Sequence, residues 1–179
     1  MSRFTFFPFA VFILACYSVA PVSAAAPAAF KVGEFTFTRP AAWEWVEVTS
    51  PMRKAQLRVT DSATKETADV TFFDFPPGAG DPQANVDRWI SQFEESRDKL
   101  KPQISQTTIG GRKVTFVQAQ GTYKGGMPGG PPKTTPHYGL MAAIIEGKES
   151  NVFIKLTGPA ALTEKASSDF KKMVESSVK

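Results

Sequence analysis

The length and charge of this chain limit the classes of protein it belongs to. Its 179 residues are 42% hydrophobic, enough for a packed core, and they include a single cysteine, so no internal disulfide is expected. The formal net charge is +4 and the lysines are scattered along the sequence, so nucleic acid is not expected as the main partner.

The first residues have the pattern of a secretory signal. Arg3 provides a short positive region, residues 4–19 form an apolar run, and small residues stand at 22–24. Cleavage after Ala24 is expected to leave residues 25–29 as an Ala/Pro spacer and residues 30–179 as one domain. Since the apolar run is shorter than the roughly 20 residues of a membrane helix, we predict an exported protein, periplasmic or extracellular, with no transmembrane span after signal cleavage.

Cys16 allows a second interpretation of the same segment. Residues 13–16, Ile-Leu-Ala-Cys, approximate a lipobox, in which the thiol is acylated and becomes a lipid anchor for a membrane-tethered lipoprotein. The competing interpretation is that Cys16 is a small hydrophobic residue removed with the signal. The sequence leaves both alternatives open.

Alternating apolar residues predict four strands in the first half of the domain. Residues 30–37 are predicted as one strand, and after a break at Pro40 the extended pattern resumes over 45–48. Residues 55–60 and 68–75 follow the same period and are expected to pair as an antiparallel hairpin.

A helix is predicted after a turn. Residues 78–82, Gly-Ala-Gly-Asp-Pro, are typical of a turn followed by a helix cap. Apolar residues on one helical face then predict a helix over 85–99, and Glu94 and Glu95 are expected to be solvated. The residues of that face are Val86, Trp89, Ile90 and Phe93.

The second half is predicted to complete the sheet and to cover it. Residues 106–109 and 113–123 form a hairpin around Gly110, and 140–145 and 152–156 are two further strands. Helical spacing over 162–178 predicts a final helix packed on the sheet. The expected fold class is α+β, with a mainly antiparallel sheet of about six to seven strands flanked by helices.

Catalytic and metal-binding patterns do not stand out. His137 is the only histidine, and neither a Gly-x-Ser-x-Gly elbow nor a His-Glu-x-x-His motif occurs. The acidic residues are dispersed and lack the spacing of a calcium loop. No cofactor, no metal and no catalytic residue is predicted, and a hydrolase with an unorthodox site would have to use His137.

Two regions are candidates for binding. The segment 124–136 is predicted to be a long irregular loop, too rich in proline to be a phosphate loop, and long loops often carry binding residues. Two tryptophans beside a proline bend, followed by two basic residues, are predicted to rim a pocket. The candidate contacts are Trp43, Trp45, Arg53, Lys54, Met127, Lys133, His137 and Tyr138.

The order of these features resembles the PsbP-like fold family. The resemblance lies in residues 35–40, Phe-Thr-Phe-Thr-Arg-Pro, with Trp43 behind them, in the strand 72–75 before the helix, in Gly-Gly-Arg at 110–112, and in the closing helix at 170–177. It implies an exported bacterial branch, an α/β/α sandwich and a non-enzymatic binding or assembly role. No metal or partner residues of the family match this sequence.

The sequence therefore predicts an exported, non-enzymatic binding or assembly module of the cell envelope. It would engage a protein or another envelope component through the region of Trp43 and Arg53 and through the loop 125–136. The alternatives are an envelope structural protein or lipoprotein without a discrete ligand, and a hydrolase that uses His137.

Overall fold

The computed structural model of the chain describes residues 26–125 and 133–179. The secretory signal, Cys16 and Met127 lie outside these residues, so what the sequence predicts for them stays a prediction.

Nine strands and three helices occur in the described residues, and the strands form two antiparallel sheets. The strands are β1 Ala29–Val32, β2 Phe35–Thr38, β3 Glu44–Trp45, β4 Ala55–Thr60, β5 Thr67–Phe75, β6 Gln103–Ile109, β7 Arg112–Gly125, β8 Lys133–Glu146 and β9 Asn151–Pro159, and the helices are α1 Pro82–Ile90, α2 Arg97–Leu100 and α3 Ala160–Ser177. Strands β1 and β2 pair only with each other, and the larger sheet has the order β3-β4-β5-β9-β8-β7-β6. The α+β class and the antiparallel sheet predicted from the sequence are confirmed.

Helix α3 and the β1–β2 hairpin cover one face of the larger sheet. Phe37 and Phe170 are fully buried there, and Phe30 packs edge-to-face on Phe72 with ring centres 5.0 Å apart. Side chains alternate across a strand, so every second residue of β4 and β5 points into this core. The predicted C-terminal helix and its packing on the sheet are confirmed.

Helix α1 packs against the opposite face, where a second apolar cluster forms. Val86, Trp89 and Ile90 lie on the buried side of α1, and Ile144 and Phe153 meet them from the sheet. Because both faces of the sheet are covered here, residues 140–145 of β8 are apolar at every position and residues 152–156 of β9 at every position but Lys155.

The N-terminal strand prediction was wrong in its extent. Residues 30–37 do not form one strand but the β1–β2 hairpin, which turns at Gly33 with a positive φ of 56°. A Cβ at Gly33 would come within 2.3 Å of the Ser150 hydroxyl, so the turn needs glycine for its backbone conformation and for space.

The helix predicted over 85–99 was also wrong in its extent. Helix α1 starts earlier, at Pro82, because the Asp81 carboxylate caps it by accepting a hydrogen bond from the Ala84 N–H at 2.7 Å. It ends at Ile90, and only the single turn α2 follows. Phe93 still reaches the apolar cluster, but from an irregular segment that pairs with Tyr123 of β7.

The prediction of an irregular loop over 124–136 was wrong at both of its ends. Lys124 and Gly125 belong to β7, and β8 begins at Lys133. Between the pairs Gly121–Tyr138 and Tyr123–Thr135, one residue of β7 faces two of β8, which is a β-bulge. The two β8 residues of the bulge are Pro136, which has no N–H for the ladder, and His137, which has a positive φ of 53°.

Candidate functional site

A pocket of about 480 Å³ opens on the sheet face that α1 partly covers. Strands β5 and β9 provide its floor, α1 and the following Gln92 provide one wall, and Met52 and Arg53 stand on the other side. We name it the Lys155 pocket after the lysine on its floor. Its volume is within the range of about 300–1,000 Å³ typical of small-molecule sites.

The alternation of β9 places Lys155 in the pocket. Val152, Ile154 and Leu156 face the core under α3, so Phe153, Lys155 and Thr157 face the α1 side. Lys155 is thus the charged residue within the otherwise apolar run 152–156. The burial of its neighbours on both sides fixes its position.

The Lys155 amine has neutral partners. Its Nζ donates to Gln92 Oε1 at 3.3 Å and to the Tyr123 hydroxyl at 3.4 Å, and it lies 5.9 Å from the centre of the Tyr123 ring. The pKa of Lys155 is lowered to about 8, mainly by burial and secondarily by the nearby positive charges of Arg88 and Arg53.

Two arginines approach the same space from opposite sides. Arg88, on the exposed side of α1, donates to the Asn85 side-chain oxygen, while Arg53, before β4, donates to Gln56 Oε1. The Nε of Arg53 is buried and has no hydrogen-bond partner in the described part of the chain. Both guanidinium groups therefore lie beside the pocket with neutral partners.

Asp69 is the carboxylate that lines the pocket, and it is already paired. Its Oδ1 lies 3.0 Å from the Nε of Arg58, the residue directly opposite it on β4. Across residues 26–125 and 133–179, Arg53, Arg88 and Lys155 form no salt bridge. The local charge is therefore positive.

Aromatic side chains form the apolar part of the lining. Phe153 makes edge contacts with Phe75 and Trp89, with ring centres 5.6 and 6.3 Å apart. Met52, 62% exposed, stands at the rim and has an unbranched, flexible side chain. The pocket thus combines cationic donors with flat apolar surfaces.

Two tyrosines close the end of the site nearest β7 and β8. Tyr123 and Tyr138 pack at 4.9 Å between ring centres, and the Tyr123 hydroxyl donates to Gln92 Oε1 at 2.9 Å. Burial raises the pKa of both phenols, so both remain protonated and neutral near pH 7.

The β-bulge fixes Gln92 in this network. It leaves the Thr122 N–H outside the β7–β8 ladder, and the Glu95 carboxylate accepts a hydrogen bond from it at 2.9 Å. Glu94 N–H donates to the Thr122 carbonyl, and Lys124 N–H donates to the Gln92 carbonyl at 2.7 Å. Glu95 is partly exposed, and beyond the predicted solvated carboxylate it satisfies a backbone donor of another element.

Some of the sequence-predicted contacts lie at this site and others do not. Arg53 lines the pocket, and Tyr138 packs on Tyr123 at its end. Lys54 pairs with Asp74 at 3.5 Å. Trp43 is buried on the opposite sheet face, and Trp45, partly buried, packs against the same core while its ring N–H donates to Glu47.

The remaining candidates lie near the end of the β7–β8 hairpin. His137 and Lys133 are exposed on β8, His137 within the bulge, and Met127 falls outside the described residues. Lys155, Arg88 and Gln92 were not predicted as site residues. The available sequence signal was Lys155 itself, a lone charge within the apolar run 152–156.

The described residues contain no group of three or more His, Cys, Asp or Glu side chains placed to hold a metal ion. In the same part of the chain, no helix is both long and apolar enough to cross a membrane.

An antiparallel sheet with helices on both faces defines the class as an α+β sandwich. No protein-family model matches the sequence, and no curated protein matches it significantly. The structure is similar to the solution structure of cyanobacterial PsbP (CyanoP) from Synechocystis sp. PCC 6803, with a TM-score of 0.50 and 13% identity over 90% of this chain and 96% of that one. The chain has the PsbP-like fold, as its sequence resemblance predicted.

Two crystal structures are more distantly similar. One is LpqN, involved in cell envelope biogenesis of Mycobacterium tuberculosis, with a TM-score of 0.41 and 14% identity over 79% of this chain and 80% of that one. The other is PA94, a protein of unknown function from Pseudomonas aeruginosa, with a TM-score of 0.39 and 13% identity over 82% of this chain and 92% of that one. At these values neither likeness bears on function.

Proposed function

We propose that this chain is an exported binding module of the cell envelope and that it holds a small molecule in the Lys155 pocket. Export is supported by the signal-like pattern of Arg3, the apolar run 4–19 and the small residues at 22–24. Binding is supported by the pocket itself.

The observation that carries the proposal is the Lys155 amine, which lies largely buried at the floor of an open pocket with neutral partners. Burying a cation without a counter-charge costs folding free energy, and such groups concentrate where a ligand or a reaction uses them. The proposal assigns binding rather than turnover, because the groups around Lys155 are arginine, amide and phenol side chains, and the carboxylate of Asp69 in the lining is paired with Arg58.

Retention of a ligand during purification tests this function. The protein would be exported with its own signal, purified from the envelope fraction under native conditions and examined by native mass spectrometry. We expect an added small-molecule mass that disappears on denaturation, and stabilisation in thermal melts when an extract of envelope small molecules is added.

Two matched threonine variants locate the binding. Thr157→Trp fills the Lys155 pocket and should abolish both signals, whereas Thr107→Trp, on the exposed strand β6, should leave both unchanged. If the wild-type protein neither retains a small molecule nor is stabilised by the extract, the proposed function is wrong. Equal retention by Thr157→Trp would place the ligand elsewhere.

A further inference from the structure

Three cationic side chains approach one another across the Lys155 pocket without a carboxylate to balance them. Arg53, Arg88 and Lys155 all line it, and the acidic residue beside them, Asp69, is paired with Arg58 at 3.0 Å. Arg53 and Arg88 are each close enough to Lys155 to repel its charged form and lower its pKa. An anion placed among them would remove that repulsion.

Hydrogen-bond donors point to the same conclusion independently of charge. The Nε of Arg53 is buried and lacks an acceptor among the described residues, although buried donors are nearly always paired. The Lys155 amine has three hydrogens and makes two long contacts, at 3.3 and 3.4 Å. Both groups have donor capacity left for an oxygen ligand.

The size and lining of the pocket exclude a bare inorganic ion as a good fit. Its 480 Å³ corresponds to the liquid volume of about 16 waters at roughly 30 Å³ each. A phosphate or sulfate would leave most of that space, and the partly exposed rings of Phe73 and Phe75, in contact with water. An apolar body attached to the anionic group would cover these rings.

We infer that the ligand is a small organic acid. Its carboxylate or phosphate accepts hydrogen bonds from Lys155 and Arg53, with Arg88 contributing charge from the α1 side, and its aromatic or aliphatic body packs against the partly exposed rings of Phe73 and Phe75. This inference rests on the proposed function and names the chemical class of the ligand of that same pocket.

Isothermal titration of the full-length mature protein with matched acids and neutral analogues tests the ligand class. The pairs are indole-3-acetate with indole-3-acetamide, decanoate with decanamide, and phenyl phosphate with phenol, and inorganic phosphate is the probe without a body. Each acid should bind at least tenfold more tightly than its neutral partner, since charge-assisted hydrogen bonds are about twice as strong as neutral ones. The first two pairs report on carboxylates and the third on phosphates.

Three variants assign the effect to the pocket. Lys155→Met and Arg53→Gln should each weaken binding of the acids roughly ten- to hundredfold and leave the neutral analogues unchanged. Lys172→Met makes the same change of charge on the exposed side of α3, so it should alter neither.

The outcomes separate the two proposals. If the neutral analogues bind as tightly as the acids and Lys155→Met has no effect, the ligand is not an organic acid. The proposal of a small-molecule pocket would still stand. Inorganic phosphate binding as tightly as phenyl phosphate would overturn the role of the aromatic wall. If no probe binds at millimolar concentration, the inference of an organic acid is wrong. If the native protein also retains no small molecule, the proposed function is wrong as well.

Discussion

Folding lowers the pKa of Lys155 below its value in the unfolded chain. Its pKa falls from the ordinary 10.5 to about 8, mainly because burial disfavours the charged form and secondarily because Arg88 and Arg53 repel it. In the pH range between these two values the unfolded chain binds more protons than the folded one, so this group makes stability rise with pH. Below about pH 8 the folded protein carries the full cost of the charged amine.

Replacing Lys155 with methionine should therefore stabilise the fold while weakening its binding of organic acids. At pH 7 we expect the free energy of unfolding of Lys155→Met to exceed that of the wild type by about 1–3 kcal/mol. The gain should shrink steadily as the pH is raised from 8 to 10. Urea denaturation at pH 7 and pH 10 measures it, with Lys172→Met as the control.

A destabilised Lys155→Met protein would show that the hydrogen bonds to Gln92 and Tyr123 outweigh the cost of the buried charge. A gain that is the same at pH 7 and pH 10 would show that the folded and unfolded chains bind the same number of protons over this range, so that folding does not lower the pKa of Lys155.

The binding residues were only partly predictable because a pocket depends on which residues share a sheet face. Arg53 was predicted from its place after the two tryptophans, and it does line the pocket. Trp43 and Trp45, in the same stretch, pack into the core on the opposite face. Lys155 and Arg88 lie 67 residues apart in sequence, and only the pairing of β5 with β9 under α1 brings them together.

At the scale of elements, the strands and α3 could be predicted well and the segment after α1 could not. The period of β4 and β5 comes from alternate burial and is visible in the sequence, as is the apolar stripe of α3. Residues 91–96 continue the helical pattern of α1, because Phe93 enters the same apolar cluster. They leave the helix because the β7–β8 bulge offers them backbone partners, and such a tertiary partner leaves no local signal.

The contribution of the hydrogen bond between Glu95 and the Thr122 N–H to the free energy of unfolding can be measured by comparing substitutions of Glu95 with one of the adjacent Glu94. Glu95→Ala is expected to lower the free energy of unfolding at pH 7 by about 1 kcal/mol, and Glu95→Gln by about half, since the amide oxygen remains an acceptor. Glu94→Ala, adjacent and exposed, should change it little. Chemical denaturation at pH 7 compares the three.

The pH dependence gives this prediction a second check. The pKa of Glu95 is lowered from its ordinary 4.5, first by a hydrogen bond from its own backbone N–H and then by the Thr122 N–H, against the opposing effect of burial. Its stabilising contribution is therefore present above pH 4.5 and is lost as the pH falls through the lowered value. If Glu94→Ala and Glu95→Ala lower the free energy of unfolding equally at pH 7, the hydrogen bond from the Thr122 N–H to Glu95 does not stabilise residues 91–96.

At the scale of the whole molecule, the two faces of the larger sheet are expected to have different roles, one in stability and the other in binding. The face under α3 and the β1–β2 hairpin is a dry core of large apolar residues, whereas the α1 face holds both an apolar cluster and the Lys155 pocket. Neighbouring residues of β9 belong to different faces, with Ile154 and Leu156 in the core and Lys155 between them. The core face is thus expected to set stability, and the α1 face to set binding.

Two large-to-small substitutions, one on each face, should separate stability from binding. Phe170→Leu removes volume from the fully buried core under α3 and should lower the free energy of unfolding by about 1–2 kcal/mol without changing the affinity for an organic acid. Trp89→Leu removes volume from α1 beside Phe153, so it should lower both stability and affinity. Denaturation and acid titration of each variant, well below its melting temperature, give the two quantities. If Phe170→Leu weakens binding as much as Trp89→Leu does, the strands transmit packing changes from one face to the other, and the two faces are not independent.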